Sequence, residues 1–262
     1  MMKDPPVLVF DSGFGGLSIL SSLMKVLPKK SFLYYGDNAF APYGLHTPKE
    51  VRDRTLEIVE GIRKKVNIDA IVVACNTATS CAIEEMRKKN QDIPVIGTEP
   101  ALKPAVSMLR GEKKPEILVL ATPVTLQEDK FQKLLARYKG EAEITLLPAP
   151  GLVSIIEQQS DCMLRAEQYL ERIVLETGIK RQYDGIVLGC THFPFVKPAI
   201  SRVFSGSHMF FDSAMGVAKR TADVLGEKEN KTDPAEIEYC CSKTEQQADY
   251  KAACEKIMSL LP

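Results

Sequence analysis

The chain has 262 residues, 45% hydrophobic and 26% charged, which fits an ordinary globular protein long enough for two compact domains or one large one. Lys plus Arg number 34, as do Asp plus Glu, so no net basic field favours nucleic acid; Arg63-Lys64-Lys65 and Arg87-Lys88-Lys89 read as charges at helix C-terminal ends. No apolar run approaches the roughly 20 residues that span a bilayer, and Met1–Pro6 is too short and polar for a signal peptide, so a cytoplasmic location is expected.

Strand-like runs fall near 6–10, 31–36, 68–74, 94–97, 116–121, 143–147, 184–189 and 208–211. Helical patterns alternate with most of them, which predicts an α/β fold with mainly parallel sheets. The first run leads into Asp11-Ser12-Gly13-Phe14-Gly15-Gly16. Glycines there permit a tight turn and close backbone approach to an anion at a helix N-terminus. Neither dinucleotide-binding glycine spacing nor a Walker lysine is present, so a small carboxylate suits the turn better than a nucleotide phosphate. Asp11 is placed either as a charged partner in a site or as a turn-capping residue, and taken alone it reads as the latter.

Beyond the second run, the Pro42-Tyr43-Gly44 turn offers a phenol and a backbone N–H to an anionic group, or is a plain loop. Thr47-Pro48-Lys49-Glu50 then marks a helix start, with an N-cap, a Pro at the first position and a capping-box Glu. Val51, Ile58, Val59, Ile62 and Val66 define its core face.

Two later runs are near-copies: D-A-I-V-V-A-C-N-T at 69–77 and D-G-I-V-L-G-C-T-H at 184–192. Each is an apolar β-branched strand ending in a cysteine and polar residues, at the carboxyl end where α/β sheets collect ligands. The cysteines, Cys75 and Cys190, are 115 residues apart. The runs beginning at Val7 and Ile117 also echo one another, 110 residues apart. The near-equal offsets predict two similar, pseudo-symmetric α/β domains. The boundary is placed near Gly97–Pro100 and the return near Ser205, giving a discontinuous first domain of 1–98 plus 206–262 and a second of 99–205.

Buried strand cysteines are usually inert packing residues. Here each is expected beside a helix N-terminus, which lowers a thiol pKa, and is followed by Asn76-Thr77 or Thr191-His192. Asn76 and Thr77 suit both a helix cap and donation to a carboxylate. His192 stands two residues from the second thiol and is able to tune it or move protons near neutrality. Thr122 and Thr125 offer hydroxyls, or form a helix cap. Glu157 reads as an ordinary solvated helix charge. The cysteine count is seven, which is odd, and no C-x-x-C occurs, so reduced thiols are expected and no metal site. Towards the end, Ser213 is placed to cap a helix with Val217, Ala218, Thr221, Val224 and Leu225 on its inner side. Glu227–Pro234 reads as a surface loop, Ile237–Cys241 as a strand, and Thr244-Glu245-Gln246-Gln247 as the start of a last helix.

Taken together, the Asp11–Gly16 turn, Pro42-Tyr43-Gly44, Ala74-Cys75-Asn76-Thr77, Gly189-Cys190-Thr191-His192-Phe193-Pro194 and Asp212-Ser213 resemble the glutamate racemases of the cofactor-independent aspartate/glutamate racemase superfamily. The resemblance covers almost the whole chain. It implies two α/β domains with the active site in the cleft between them, and L- and D-glutamate as substrates. It implies no pyridoxal phosphate, metal or nucleotide cofactor. Cys75 then deprotonates D-glutamate and Cys190 L-glutamate; Asp11 assists Cys75, and His192 and Glu157 serve Cys190. Ser12, Tyr43, Gly44, Asn76, Thr77, Thr122, Thr125 and Thr191 map onto substrate-binding positions. The D-glutamate formed feeds peptidoglycan synthesis in a bacterial cytoplasm, and a homodimer is compatible with the family.

Two departures stand out: Phe14 replaces a smaller aliphatic residue, and His46 stands where a lysine is common. The short N-terminus lacks the extension of members activated by a peptidoglycan precursor, so that activation is not expected. Rival readings are an aspartate or other acidic amino-acid racemase, a regulatory protein acting on DNA gyrase, and, weakest, a phosphate-binding α/β enzyme.

Overall fold

A computed structural model of the chain describes residues 4–158, 161–205, 209–226, 236–243, 245, 247–259 and 261. The expected loop Glu227–Pro234, His208, and Thr244 and Gln246 at the expected last helix start lie outside them. The chain divides into two compact units, Met1–Thr98 with Ala214–Pro262, and Glu99–Ser213.

In the first unit the chain runs β1 (Val7–Asp11), α1 (Leu17–Val26), β2 (Phe32–Gly36), a 3-10 turn (Tyr43–Leu45), α2 (Pro48–Arg63), β3 (Ala70–Val73), α3 (Asn76–Lys89) and β4 (Val95–Gly97). The second unit follows with α4 (Leu102–Leu109), β5 (Glu116–Ala121), α5 (Pro123–Gln127), α6 (Asp129–Tyr138), β6 (Glu143–Pro148), α7 (Pro150–Glu157), α8 (Cys162–Thr177), β7 (Gly185–Leu188), a second 3-10 turn (Phe193–Val196), α9 (Lys197–Val203) and β8 (Met209–Phe211). The chain then re-enters the first unit through α10 (Ala214–Leu225), β9 (Ile237–Cys241) and α11 (Gln247–Met258).

Among the described residues every strand pairing is parallel. The first sheet has the order β4-β3-β1-β2-β9 and the second β6-β5-β7-β8. Read from its other edge, the second sheet is β8-β7-β5-β6, so both units share one four-strand order and the first adds β9. Matching backbone hydrogen bonds reinforce the duplication. Ala74 N–H donates to Phe10 C=O at 2.8 Å, and Gly189 N–H to Leu120 C=O at 2.7 Å. At the opposite ends of these strands Asp69 N–H meets Pro6 C=O, and Asp184 N–H meets Glu116 C=O. The acidic residue opening each cysteine motif therefore works far from the thiol: Asp69 pairs with the buried Lys30, and Asp184 accepts the Glu116 N–H at 2.7 Å.

The continuous apolar runs form strands because helices cover both faces, leaving β1, β3 and β7 wholly buried. Each buried Val, Leu or Ile contributes about 1.5–3 kcal/mol of hydrophobic stabilisation. One core gathers Leu8, Phe10, Ile71, Val73 and Val59, and another gathers Ile117, Val119, Val106, Val187 and Phe211. Helix α2 begins with the complete Thr47–Glu50 capping box, and its Val51 and Val59 are buried while Ile58, Ile62 and nearby Val66 pack at the core's margin. Helix α10 starts immediately after Ser213 and buries Val217, Ala218, Thr221 and Leu225, with Val224 half-buried.

The return to the first unit comes eight residues later than the Ser205 boundary predicts. Strand β8 pairs with β7, Gly185 opposite Met209, and so completes the second sheet before the chain crosses at Ser213–Ala214.

Candidate active site

Each cysteine follows an inner strand of its sheet, β3 before Cys75 and β7 before Cys190, and each unit surrounds its thiol differently. In the first unit, Cys75 is the N-cap of α3 and accepts the Ala78 N–H on its sulfur at 3.4 Å. Its thiol donates to Ser12 Oγ at 3.6 Å. The N-terminus of a 14-residue helix carries partial positive charge, which favours a thiolate.

Asp11 closes β1, is fully buried, and accepts the Gly13 N–H at 2.9 Å. A Cβ on Gly16 would lie 2.6 Å from Asp11 Cβ and 3.0 Å from Ala74 Cβ, so glycine is what lets α1 begin against both residues. Two tyrosines hold the glycine turn by donating to Gly13 C=O, Tyr34 at 2.8 Å and Tyr250 at 3.3 Å. Phe14, the larger residue in that turn, stacks on Tyr250 at 5.2 Å. A Cβ on Gly36 would fall 2.0 Å from the Tyr250 hydroxyl, so β2 ends on glycine where α11 closes over it.

Asn76 and Thr77 open α3 and are buried. Both polar atoms of the Asn76 side chain are shielded from solvent without a hydrogen-bond partner among the described residues. Buried polar groups nearly always have one, and an open amide beside a thiol suits a ligand that supplies it. Tyr43 is buried in the same core as Cys75, and its hydroxyl donates to Asp37 Oδ2 at 2.8 Å. Burial and the Asp37 charge hold that phenol above its ordinary pKa. Gly44 follows within the turn, half-buried.

In the second unit, Cys190 does not cap an α-helix as the sequence suggests. Phe193 N–H donates to Cys190 C=O at 3.1 Å and starts a 3-10 turn, and α9 begins only at Lys197, with Pro194 and Pro198 shaping the step. The side chain beside the thiol is instead His192. Its Nδ1 lies 3.7 Å from Cys190 Sγ, and its Nε2 lies 2.5 Å from Glu157 Oε1. Burial opposes charge on this ring, but hydrogen bonds to Cys190 and Glu157 outweigh it and hold the pKa well above the ordinary value. Thr122 caps α5 through Thr125 N–H at 3.3 Å, and their hydroxyls are 3.0 Å apart. Thr122, Thr125 and Thr191 are all buried.

The first unit thus gathers Asp11, Ser12, Tyr43, Gly44, Cys75, Asn76 and Thr77 about the carboxyl ends of β1, β2 and β3. The second brings Glu157, last in α7, to His192 and Cys190. Two further residues of the first unit, Asp37 and Arg54, join this group through Tyr43, and the sequence does not single them out. Asp37 carried a weak signal, an acid just past a strand; Arg54 looks like any charge on a polar helix face. Among the described residues, which include all seven cysteines, no disulfide forms. Among the described residues no cluster of three or more His, Cys, Asp or Glu is placed to hold a metal ion. No helix among them is long and apolar enough to cross a membrane.

Comparison with known proteins gives concordant matches. The Asp/Glu/Hydantoin racemase family model matches residues 17–220. A glutamate racemase of Clostridium novyi is 45% identical over 213 residues, 81% of this chain and 80% of that protein. One from Clostridium acetobutylicum is 48% identical over 202 residues, 77% of each. Among solved structures, Escherichia coli glutamate racemase in complex with L-glutamate and the activator UDP-MurNAc-ala is similar at a TM-score of 0.83 and 30% identity, over 97% of this chain and 96% of that one.

Proposed function

The chain belongs to the Asp/Glu/Hydantoin racemase family, and from that premise we propose that it interconverts L- and D-glutamate without a cofactor, using Cys75 and Cys190 as the acid/base pair. The carrying observation is the equivalence of the two thiols: each follows the same strand of a duplicated sheet, held by the matching Ala74–Phe10 and Gly189–Leu120 hydrogen bonds.

Racemisation breaks the Cα–H bond on one face and forms a new one on the other, so one group accepts a proton as another gives one. With L-glutamate, the Cys190 thiolate takes the Cα proton and the Cys75 thiol returns one, leaving Cys190 protonated and Cys75 ionised. The reverse reaction starts from that state, and exchange with solvent resets it. A cysteine pKa near about 8.5 lies close enough to neutrality for both roles. The α3 N-terminus and Ser12 tune Cys75, with Asp11 assisting. His192, held by Glu157, serves Cys190.

The carbanionic transition state requires fixed donors at the substrate carboxylates. Ser12, the Tyr43–Gly44 turn, Asn76 and Thr77 supply them in one unit, and Thr122, Thr125 and Thr191 in the other. The open amide of Asn76 supports this role most directly. The product D-glutamate serves peptidoglycan synthesis in the cytoplasm.

The family description also includes aspartate, so the test offers both acids. Reduced, purified protein without added cofactor is incubated with L-glutamate or L-aspartate, and circular dichroism is followed. The proposal expects the glutamate signal to decay to zero and the aspartate signal to persist. Decay with aspartate alone reassigns the substrate, and no decay with either overturns the catalytic reading.

A further inference from the structure

Helix α2 sends one side chain, Arg54, to a fully buried carboxylate. Its Nε and Nη2 donate to the two oxygens of Asp37, both at 2.8 Å, while Tyr43 donates to Oδ2 of the same group. Asp37 has no exposed side-chain surface, whereas Arg54 keeps 33% of its own. Asp37 N–H also donates to Asp11 C=O at 2.9 Å, fixing the backbone at Asp37 to the end of β1.

Around this pair the segment from Asp37 to His46 closes on itself. The Arg54 guanidinium lies 5.9 Å from the Phe40 ring centroid. Phe40 meets Tyr43 edge-on at 5.8 Å and stacks on His46 at 3.7 Å. His46 Nε2 is 3.0 Å from Phe40 C=O, and His46 N–H donates to Tyr43 C=O at 3.2 Å. Every link leads to the turn that carries Tyr43 and Gly44, beside Cys75 in the core.

We propose that Arg54 is a positioning residue for racemisation, locking Asp37 and through it Tyr43, so that the Tyr43–Leu45 turn presents its backbone to a substrate carboxylate. The role rests on the functional reading above. A buried carboxylate without a counter-ion is strongly unfavourable, and a planar two-pronged donor fixes both its charge and its orientation. Burial alone would push the Asp37 carboxyl up; the Arg54, Ser242 and Tyr43 hydrogen bonds overcome this and hold it below its ordinary value. Tyr43 therefore remains a donor to Asp37, and its ring and the following backbone keep one orientation.

The test compares wild type, Arg54→Lys, Arg54→Met and the double variant Asp37→Asn/Arg54→Met, by glutamate kinetics and by amide hydrogen exchange over residues 38–47. A turn that binds substrate and transition state alike, once loosened, raises KM more than it lowers kcat. Arg54→Met is expected to raise KM about tenfold or more with a smaller change in kcat, and to speed exchange at Leu45 and His46 by about tenfold. Arg54→Lys should fall between, since it keeps the charge and loses the fork. The double variant removes the stranded charge and leaves an amide oxygen at position 37 for the Tyr43 hydroxyl, so both readouts should return most of the way.

Unchanged KM and exchange in folded Arg54→Met would overturn the proposal. So would losses the double variant does not repair, because they would mark a general loss of stability. Were Arg54→Met to unfold, Arg54→Lys and the double variant would decide by the same two readouts. Wild type inactive on glutamate would overturn the racemase reading and the role for Arg54 in it, and the exchange arm would still show whether Arg54 holds the turn.

Discussion

His192 turns Nδ1 toward the Cys190 sulfur at 3.7 Å, across a single intervening residue. Its far nitrogen meets Glu157, which is 35 positions away in sequence. The second thiol thus has an imidazole partner, and the imidazole has a carboxylate to orient it. Replacing Glu157 by Gln keeps the shape and removes the charge. The His192 pKa should fall toward about 6.5, visible in imidazole 15N shifts, and kcat/KM should drop about tenfold. Since the enantiomers are equal in energy, that drop must be the same in both directions. An unchanged His192 titration would remove Glu157 from this role.

The same ring makes a prediction about stability. A histidine whose folded pKa is raised stabilises the fold fully below its unfolded value, about 6.5, and loses that contribution as pH rises through the folded value. Urea unfolding of wild type and His192→Gln should therefore differ most in mildly acidic buffer, and the difference should shrink in alkaline buffer. A difference that grows with pH would contradict the assigned direction.

Asn76 offers a contrast between binding and stability. Its side-chain oxygen and nitrogen are buried without partners among the described residues, so Asn76→Ala removes polar groups whose burial costs about 1–3 kcal/mol and gives up no internal hydrogen bond. Thermal unfolding should show equal or greater stability, while KM for glutamate rises. Lower stability with unchanged KM would mean that the amide serves the fold.

Gly16 is a tight point of the first half-site, set against Asp11 and Ala74. In Gly16→Ala the new Cβ would sit 2.6 Å from Asp11 Cβ, an atom tied to the strand that cannot swing aside. A loss of about 1–3 kcal/mol is expected from overpacking, together with slower turnover as Asp11 is displaced. Denaturant midpoints and initial rates equal to wild type would show that the contact relaxes freely.

Much of this architecture is legible in the sequence because it is local. Apolar runs such as Val7–Phe10 and Ala70–Val73 declare their strands, and the Thr47–Glu50 box declares its helix. The offsets of 110 and 115 residues reappear as paired hydrogen bonds at equivalent positions of two sheets. Which sheet a three-residue strand joins is not local, and β8 therefore lies on the far side of the expected boundary. Glu157 and Arg54 are charged residues on helices, indistinguishable in pattern from solvated ones. Only tertiary packing turns Glu157 to His192 and Arg54 to Asp37. The helix expected after Cys190 is delayed because Pro194 and Pro198 favour a tighter turn first.

The central claim is that two thiols share one proton transfer, and isotope exchange with single-thiol variants tests it most directly. Cys75→Ser and Cys190→Ser are incubated in D₂O with each enantiomer of glutamate, and Cα deuteration and chirality are read together. Both variants should lose racemisation. Cys190→Ser should exchange the Cα proton of D-glutamate with retention and leave L-glutamate untouched, and Cys75→Ser should do the converse. Racemisation at the wild-type rate by either variant would contradict the two-thiol mechanism.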